Sequence, residues 1–220
     1  MSEEGWKAFL ASDGLGDWAV LHGGAVTVFS VASLAQAVRL ADDLAAVSGF
    51  AGGGAVLTLG DDRVSVRLTR DMWALEPHHV DLARAVSAAA RERGATANRS
   101  RIHEVQIAVS AKPSEANLPF WRAVLGYDAA ADDNGVDPLA HSSVMWAQDL
   151  NEDKALRHAM HIDVSVPREF VKARVEAALA AGGRIVADDE APEFWILADA
   201  AGNKVCVCAW PDGATTQAPG

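Results

Sequence analysis

The sequence predicts an α+β protein built from two small domains, and three observations carry that prediction. Its 220 residues suffice for two domains of about 100 residues each. Segments with helical apolar spacing are interleaved with short alternating runs that suit strands. Beyond residue 98 the chain then states one pattern twice, strand, helix and further strands, as an internal repeat would.

The first element legible in the chain is a helix over residues 33–47. Leu34, Ala37, Leu40, Ala41, Leu44 and Val47 recur at three and four, behind Ser33 as N-cap. A glycine-rich break follows, and then Val56–Leu59 and Val64–Leu68 read as two strands joined across Gly60-Asp61-Asp62. A second helix is expected from Pro77, tolerated in a first turn, to Arg93, with Gly94 placed to stop it. The small, polar stretch Gly94–Ser100 lacks an apolar period and marks the domain boundary near residue 98. The domains expected are therefore 1–97 and 98–213, with a flexible tail over 214–220.

In the second half, strand Glu104–Val109 precedes a helix around Phe120–Leu125, stopped by Gly126, and strand Ser143–Gln148. Strand His161–Val166 then precedes helix Val171–Ala180, stopped at Gly182-Gly183, and strands Arg184–Ala187, Phe194–Leu197 and Lys204–Ala209.

Charge and composition exclude some functions. Thirty acidic residues against 19 basic ones give a formal charge of −11 without a basic patch, so a nucleic-acid partner is not expected. No run of about eighteen apolar residues occurs, and Met1–Trp6 does not read as a signal peptide, so the expectation is a cytoplasmic protein without a membrane partner. The only cysteines, Cys206 and Cys208, fall two apart on one face of a strand, where a mutual disulfide has poor geometry. They read as packed free thiols.

Residues Phe29–Ala37, the hairpin Asp62–Thr69, Ala74-Leu75-Glu76 and Asp81-Leu82-Ala83 resemble the pterin-4a-carbinolamine dehydratase family over roughly residues 6 to 93. The resemblance implies an antiparallel sheet with helices packed on one face. It also implies a His-His-Pro motif and a later histidine for dehydration, but these positions fall on Gly52-Gly53-Gly54-Ala55 and Thr69-Arg70-Asp71. Glycine carries no titratable proton, so the acid/base equipment is degenerate. His78 and His79 read as partly exposed helix-start residues; His79 and Arg70 stand as ligand-binding candidates. The cluster Gly49–Gly54 reads as a helix-to-strand connection, since a phosphate loop would need Lys-Ser or Lys-Thr after it.

Residues 102–210 resemble the glyoxalase/bleomycin-resistance (vicinal oxygen chelate) superfamily, through Phe120–Tyr127, Trp146-Ala147-Gln148, His161–Val164 and Asp199–Cys208. This resemblance implies paired βαβββ modules around a cleft and, in many members, a divalent metal with open positions for substrate oxygens. Carried over by position, Glu104 (beside His103), Gln148 and His161 are the candidate metal ligands and catalytic residues, for Zn, Ni, Mn or Fe. Cys206 replaces the usual glutamate. Trp146 and Trp195 are candidate walls of a small-molecule pocket. The function expected is small-molecule binding or a lyase reaction in this cleft. The alternatives are a 4a-hydroxytetrahydrobiopterin dehydratase with relocated acid/base groups and a non-catalytic drug- or metabolite-binding protein. Homodimerisation is compatible with both resemblances.

Overall fold

The computed structural model describes residues 4–111, 118–130, 134–140, 144–149, 160–198 and 204–212. The chain divides into two compact units, 1–102 with 211–220, and 103–210. The boundary thus falls after Ile102, not near residue 98. The reason is local: Thr96–Ala97 still pairs with a strand of the first unit, and Ile102 is buried in an apolar cluster with Ala19, Leu21, Val26 and Val28. The expected tail, 214–220, lies outside the described residues.

The first unit runs α1 (Glu4–Ala11), β1 (Ala19–Leu21), β2 (Gly24–Ser30), α2 (Leu34–Ala45), β3 (Val56–Gly60), β4 (Arg63–Arg67), a 3-10 turn (Met72–Ala74), α3 (His78–Glu92) and β5 (Thr96–Ala97). Its sheet is antiparallel, in the order β1-β2-β4-β3 with β5 also on β2. Helix α2 begins where the sequence places it: Ser33 is extended and its side chain accepts from the Gln36 amide, satisfying one of the unpaired N–H groups of the first turn. Gly94, at φ +70°, supplies the left-handed residue after α3.

All three helices share one face of the sheet. Trp6 and Phe9 of α1, Ala37, Leu40 and Leu44 of α2, and Ala83, Val86 and Ala90 of α3 form one core with Val20, Ala25, Phe29, Val64 and Val66. Alternation along the strands, with its period of two, sends these apolar side chains to one face. Burying the Val, Leu and Phe side chains of this core is worth about 1.5–3 kcal/mol each, which makes it the main store of stability in the unit.

The second unit runs β6 (Glu104–Ala111), α4 (Leu118–Leu125), β7 (Asp128–Ala129), β8 (Gly135–Val136), β9 (Val144–Asp149), β10 (Met160–Ser165), α5 (Arg168–Ala180), β11 (Arg184–Ala187), β12 (Phe194–Ala198) and β13 (Lys204–Cys208). This is βαβββ twice. The strands form one sheet in the order β11-β12-β13-β10-β6-β9-β8-β7. Within each module the first and last strands are parallel, β6 with β9 and β10 with β13, while the modules join through the antiparallel pair β6–β10. The arrangement is therefore pseudo-symmetric about the β6–β10 seam.

The sheet has two chemically different faces. On one, Val171 and Val175 of α5 pack with Val166, Leu197, Val207 and Ala209, joined by Val164, Trp195 and Val205. The other is crossed by polar side chains, and it carries the site.

Candidate functional site

Four rows of side chains cross the polar face, each fixed by strand register. The first pairs Gln148 of β9 with Ser110 of β6. The second sets Trp146, Ala108 and His161 side by side on β9, β6 and β10. The third holds Val144, Gln106, Asp163, Cys206 and Ile196, and the fourth Glu104, Ser165, Cys208 and Phe194. The sequence announces this pattern as Glu-x-Gln-x-Ala-x-Ser in β6 and His-x-Asp-x-Ser in β10, with Val or Ile between.

Burial is mixed within the rows: Ser110 and Ala108 are buried in the first two, and Cys206, Ile196, Cys208 and Phe194 are partly exposed in the last two. Trp146, Gln148 and His161 are partly exposed, whereas Glu104, Gln106, Asp163 and Ser165 are buried. Buried polar groups require partners, and hydrogen bonds link these. Gln106 donates its amide to Ser165 Oγ at 2.8 Å and to Glu104 Oε1 at 3.3 Å. Ser165 Oγ lies 3.1 Å from Cys208 Sγ, and Ser110 donates to Gln148 Oε1 at 2.8 Å.

Asp163 is the centre of the second cluster. Its Oδ2 accepts from Trp146 Nε1 at 2.9 Å. Its Oδ1 lies 3.2 Å from His161 Nε2, an ion-pair distance, but the contact lacks hydrogen-bond alignment and Oδ1 has no hydrogen-bond partner. The His161 ring meets the Trp146 ring edge-on, 6.3 Å between centroids at 90°.

The electrostatics follow from this geometry. The neighbouring Asp163 carboxylate raises the pKa of His161 above its ordinary 6.5, against the opposing effect of partial burial. The thiols move the other way in reactivity. Burial, with the Asp163 charge and then the neighbouring Cys208, pushes Cys206 up to about 12. Burial likewise pushes Cys208 up to about 11, opposed by its contact with Ser165 and reinforced by the charges of Asp163 and Glu104. Both cysteines are free thiols, as the sequence implied.

The candidate metal ligands do not converge. Glu104 sits opposite Ser165, four residues along β10 from His161, which at about 3.4 Å per residue separates them by about 14 Å along the strands. Gln148 lies in another row, two strands away from His161. Cys206 is beside Asp163 in the third row, a different row from Glu104, Gln148 and His161. Among the described residues no three of His, Cys, Asp and Glu are grouped to hold a metal ion. The donor set Glu104, Gln148 and His161 therefore does not fit one ion.

The other candidates divide. Trp146 is on the polar face against His161 and Asp163. Trp195 is on the opposite face, in the apolar cluster beneath α5; as a wall of the same pocket it is corrected, because its register partner Val207 points away from Cys206 and Cys208. In the first unit His79 is buried, not partly exposed, and its Nδ1 accepts from the Glu76 amide at 2.9 Å. His78 is exposed and stacks on His79 at 4.0 Å. Arg70 is half-buried, beside Thr69, whose hydroxyl donates to the Asp71 carbonyl, and Asp71, whose carboxylate accepts from the Trp73 amide. These local bonds occupy the stretch where the dehydratase resemblance expects a histidine.

Residues 106–208 match the family model of a glyoxalase-like domain, and the two βαβββ modules of the second unit agree with that match. The chain as a whole finds no match among curated proteins. No helix among the described residues is long and apolar enough to cross a membrane.

Proposed function

We propose that the polar face of the glyoxalase-like domain binds a small organic molecule, and does so without a metal ion held by Glu104, Gln148 and His161. The observation that carries this reading is a group of partly exposed polar and aromatic side chains set beside buried polar ones on one face of the sheet. Partly exposed Trp146, Gln148 and His161 lead to buried Asp163, Gln106 and Ser165. A few convergent polar groups behind an aromatic wall are what a small-molecule site requires. His161, oriented beside Asp163, whose carboxylate raises its pKa above the ordinary value, also suits proton transfer, so a lyase reaction is compatible with the same residues.

The first unit enters this reading as a scaffold. Its order α1-β1-β2-α2-β3-β4-α3 sets three helices on one face of an antiparallel sheet. His79, however, is buried and engaged by the Glu76 amide, which argues against relocated acid/base chemistry there.

Amide hydrogen exchange on the full chain tests the proposal, with pools of small metabolites added at millimolar concentration. Protection confined to β9 and β10, and abolished by His161→Ala, is the expected result. Stoichiometric Zn, Ni, Mn or Fe retained by the native chain and lost in His161→Ala would overturn the metal-free reading. Turnover of 4a-hydroxytetrahydrobiopterin would move the active site to the first unit.

A further inference from the structure

We infer that His79 is a proton-sensitive latch in the first unit. While its imidazole is neutral it fastens the segment before α3, and α1 with it; when the ring gains a proton it lets both go. The fastening is one well-placed bond. His79 is 4% exposed, and its Nδ1 accepts from the Glu76 backbone N–H at 2.9 Å. The backbone N–H of His79 donates in turn to the Glu76 carbonyl, also at 2.9 Å, so residue 79 holds residue 76 from both sides.

A side chain that reaches back from the first turn of a helix to the N–H of a residue before it fills the place that Glu or Gln takes in a capping box. Between pH 5 and 8 a carboxylate or an amide in that place stays an acceptor. An imidazole does not: because Nδ1 accepts, the ring's proton is on Nε2, and a second proton turns Nδ1 into a donor that faces another donor. Among the described residues the charged groups acting on the ring are His78, stacked 4.0 Å away, and Glu76, whose carboxylate lies 3.4 Å from His78 Nδ1. A proton on His78 is therefore held by Glu76, whereas a second one on His79 is buried beside that charge. Burial first, and His78 second, hold the pKa of His79 below 6.5, and Glu76 opposes them without prevailing.

The packing shows what the bond restrains. Leu75, next to Glu76, is buried, and α1 lies so close to it that a Cβ on Gly5 would stand 1.7 Å from the Leu75 carbonyl oxygen. Trp6 of α1 meets Trp73 of the 3-10 turn edge to face, with centroids 6.3 Å apart. A helix of eight residues is marginal without tertiary contacts, since isolated helices need about 12 or more. Segment 73–76 is part of the seat that keeps α1 folded, and undocking uncovers Trp6 and Phe9, both buried in the core.

Amide exchange of the full chain between pH 5 and 8, read by NMR as protection factors, tests the latch. The open form takes up the proton first, so the Glu76 and α1 amides should lose about tenfold in protection per pH unit below 6.5, down to the lower native pKa of His79. The α2 amides should keep theirs. His79→Gln retains an acceptor without a titratable proton and should hold α1 protected across the range. His78→Gln, at an exposed position, removes the repulsion that drives opening and should leave a smaller loss; it decides the matter if the first variant does not fold. An equal acid loss at α1 in His79→Gln, or an undiminished one in His78→Gln, overturns the latch. Loss at α2 in step with α1 overturns it as well, because the whole unit is then unfolding.

Discussion

The Trp146 indole reaches across β6 to donate its N–H to Asp163 Oδ2 at 2.9 Å. The two residues are on β9 and β10, and the strand between them contributes Ala108 to the row that Trp146 and His161 share. A larger residue at 108 would occupy the space over which the indole and imidazole meet. Ala108→Leu is therefore expected to shift the Trp146 indole N–H resonance toward its solvated position and to speed exchange of the β10 amides. Trp146→Phe removes the donor and leaves a buried carboxylate oxygen unpaired, at a cost of about 1–3 kcal/mol. Denaturant unfolding followed by signals of the second unit checks both variants.

Two histidines give the units opposite responses to pH. In the native first unit His79 is held neutral, chiefly by burial and then by the neighbouring His78, so its pKa is lowered from 6.5. The unfolded chain takes up that proton first, and the contribution of His79, present above 6.5, is lost as pH falls through the lower native value. In the second unit Asp163 raises His161 above 6.5. There the native state holds the proton more tightly, so the contribution is complete below 6.5 and is lost as pH rises through the native value. Amide exchange of α3 and of β10 between pH 5 and 8 should therefore show His79→Gln narrowing the acid sensitivity of α3, and His161→Gln costing β10 more protection at the acid end than at the alkaline end.

The contrast between what could and could not be read beforehand has a physical basis. Helices α2 and α3 were legible because their caps and apolar stripes are local: Ser33 and Gly94 stand where the chain needs an acceptor and a left-handed residue. Strand β2, Gly24–Ser30, is buried along nearly its whole length on both faces, so it lacks the alternation by which a half-buried strand declares itself, and α1 is a short helix of eight residues. The paired modules and the position of His161 on the same face as Asp163 were visible as alternation. Gln106 and Ser165 carried the same signal in Glu-x-Gln and Asp-x-Ser but were not read as part of the site. Spacing along the chain does not show register, and only the β6–β10 pairing places Glu104 opposite Ser165, four residues along β10 from His161.

The cysteines offer a chemical test of the same face. With Cys206 pushed up to about 12 and Cys208 up to about 11, the thiolate fraction at pH 8 is small. Iodoacetamide is expected to label both in the folded chain far more slowly than in urea, by roughly a thousandfold for Cys206. Rapid labelling of the native chain, read by mass spectrometry, would contradict the burial and negative field assigned to this end of β13.

Gln106 separates packing from charge in the buried stripe. Its side chain is 2% exposed and donates to both Glu104 and Ser165, so it is the neutral group that allows a carboxylate on one side to coexist with Asp163 on the other. Gln106→Leu keeps most of the volume and removes both donations. Ser165 retains its contact with Cys208, and the expected cost is about 1–3 kcal/mol with little dependence on pH. Gln106→Glu keeps the shape but adds a third carboxylate between Glu104 and Asp163, where desolvation and like charge both disfavour ionisation. That variant should be less stable than Gln106→Leu at pH 7 and recover at pH 4, where the added carboxyl is protonated and can donate to Ser165 Oγ in place of the amide. Denaturant unfolding of the two variants at both pH values reads this crossing directly. Parallel behaviour of Leu and Glu at position 106 would mean that the stripe is too well solvated for its charges to couple.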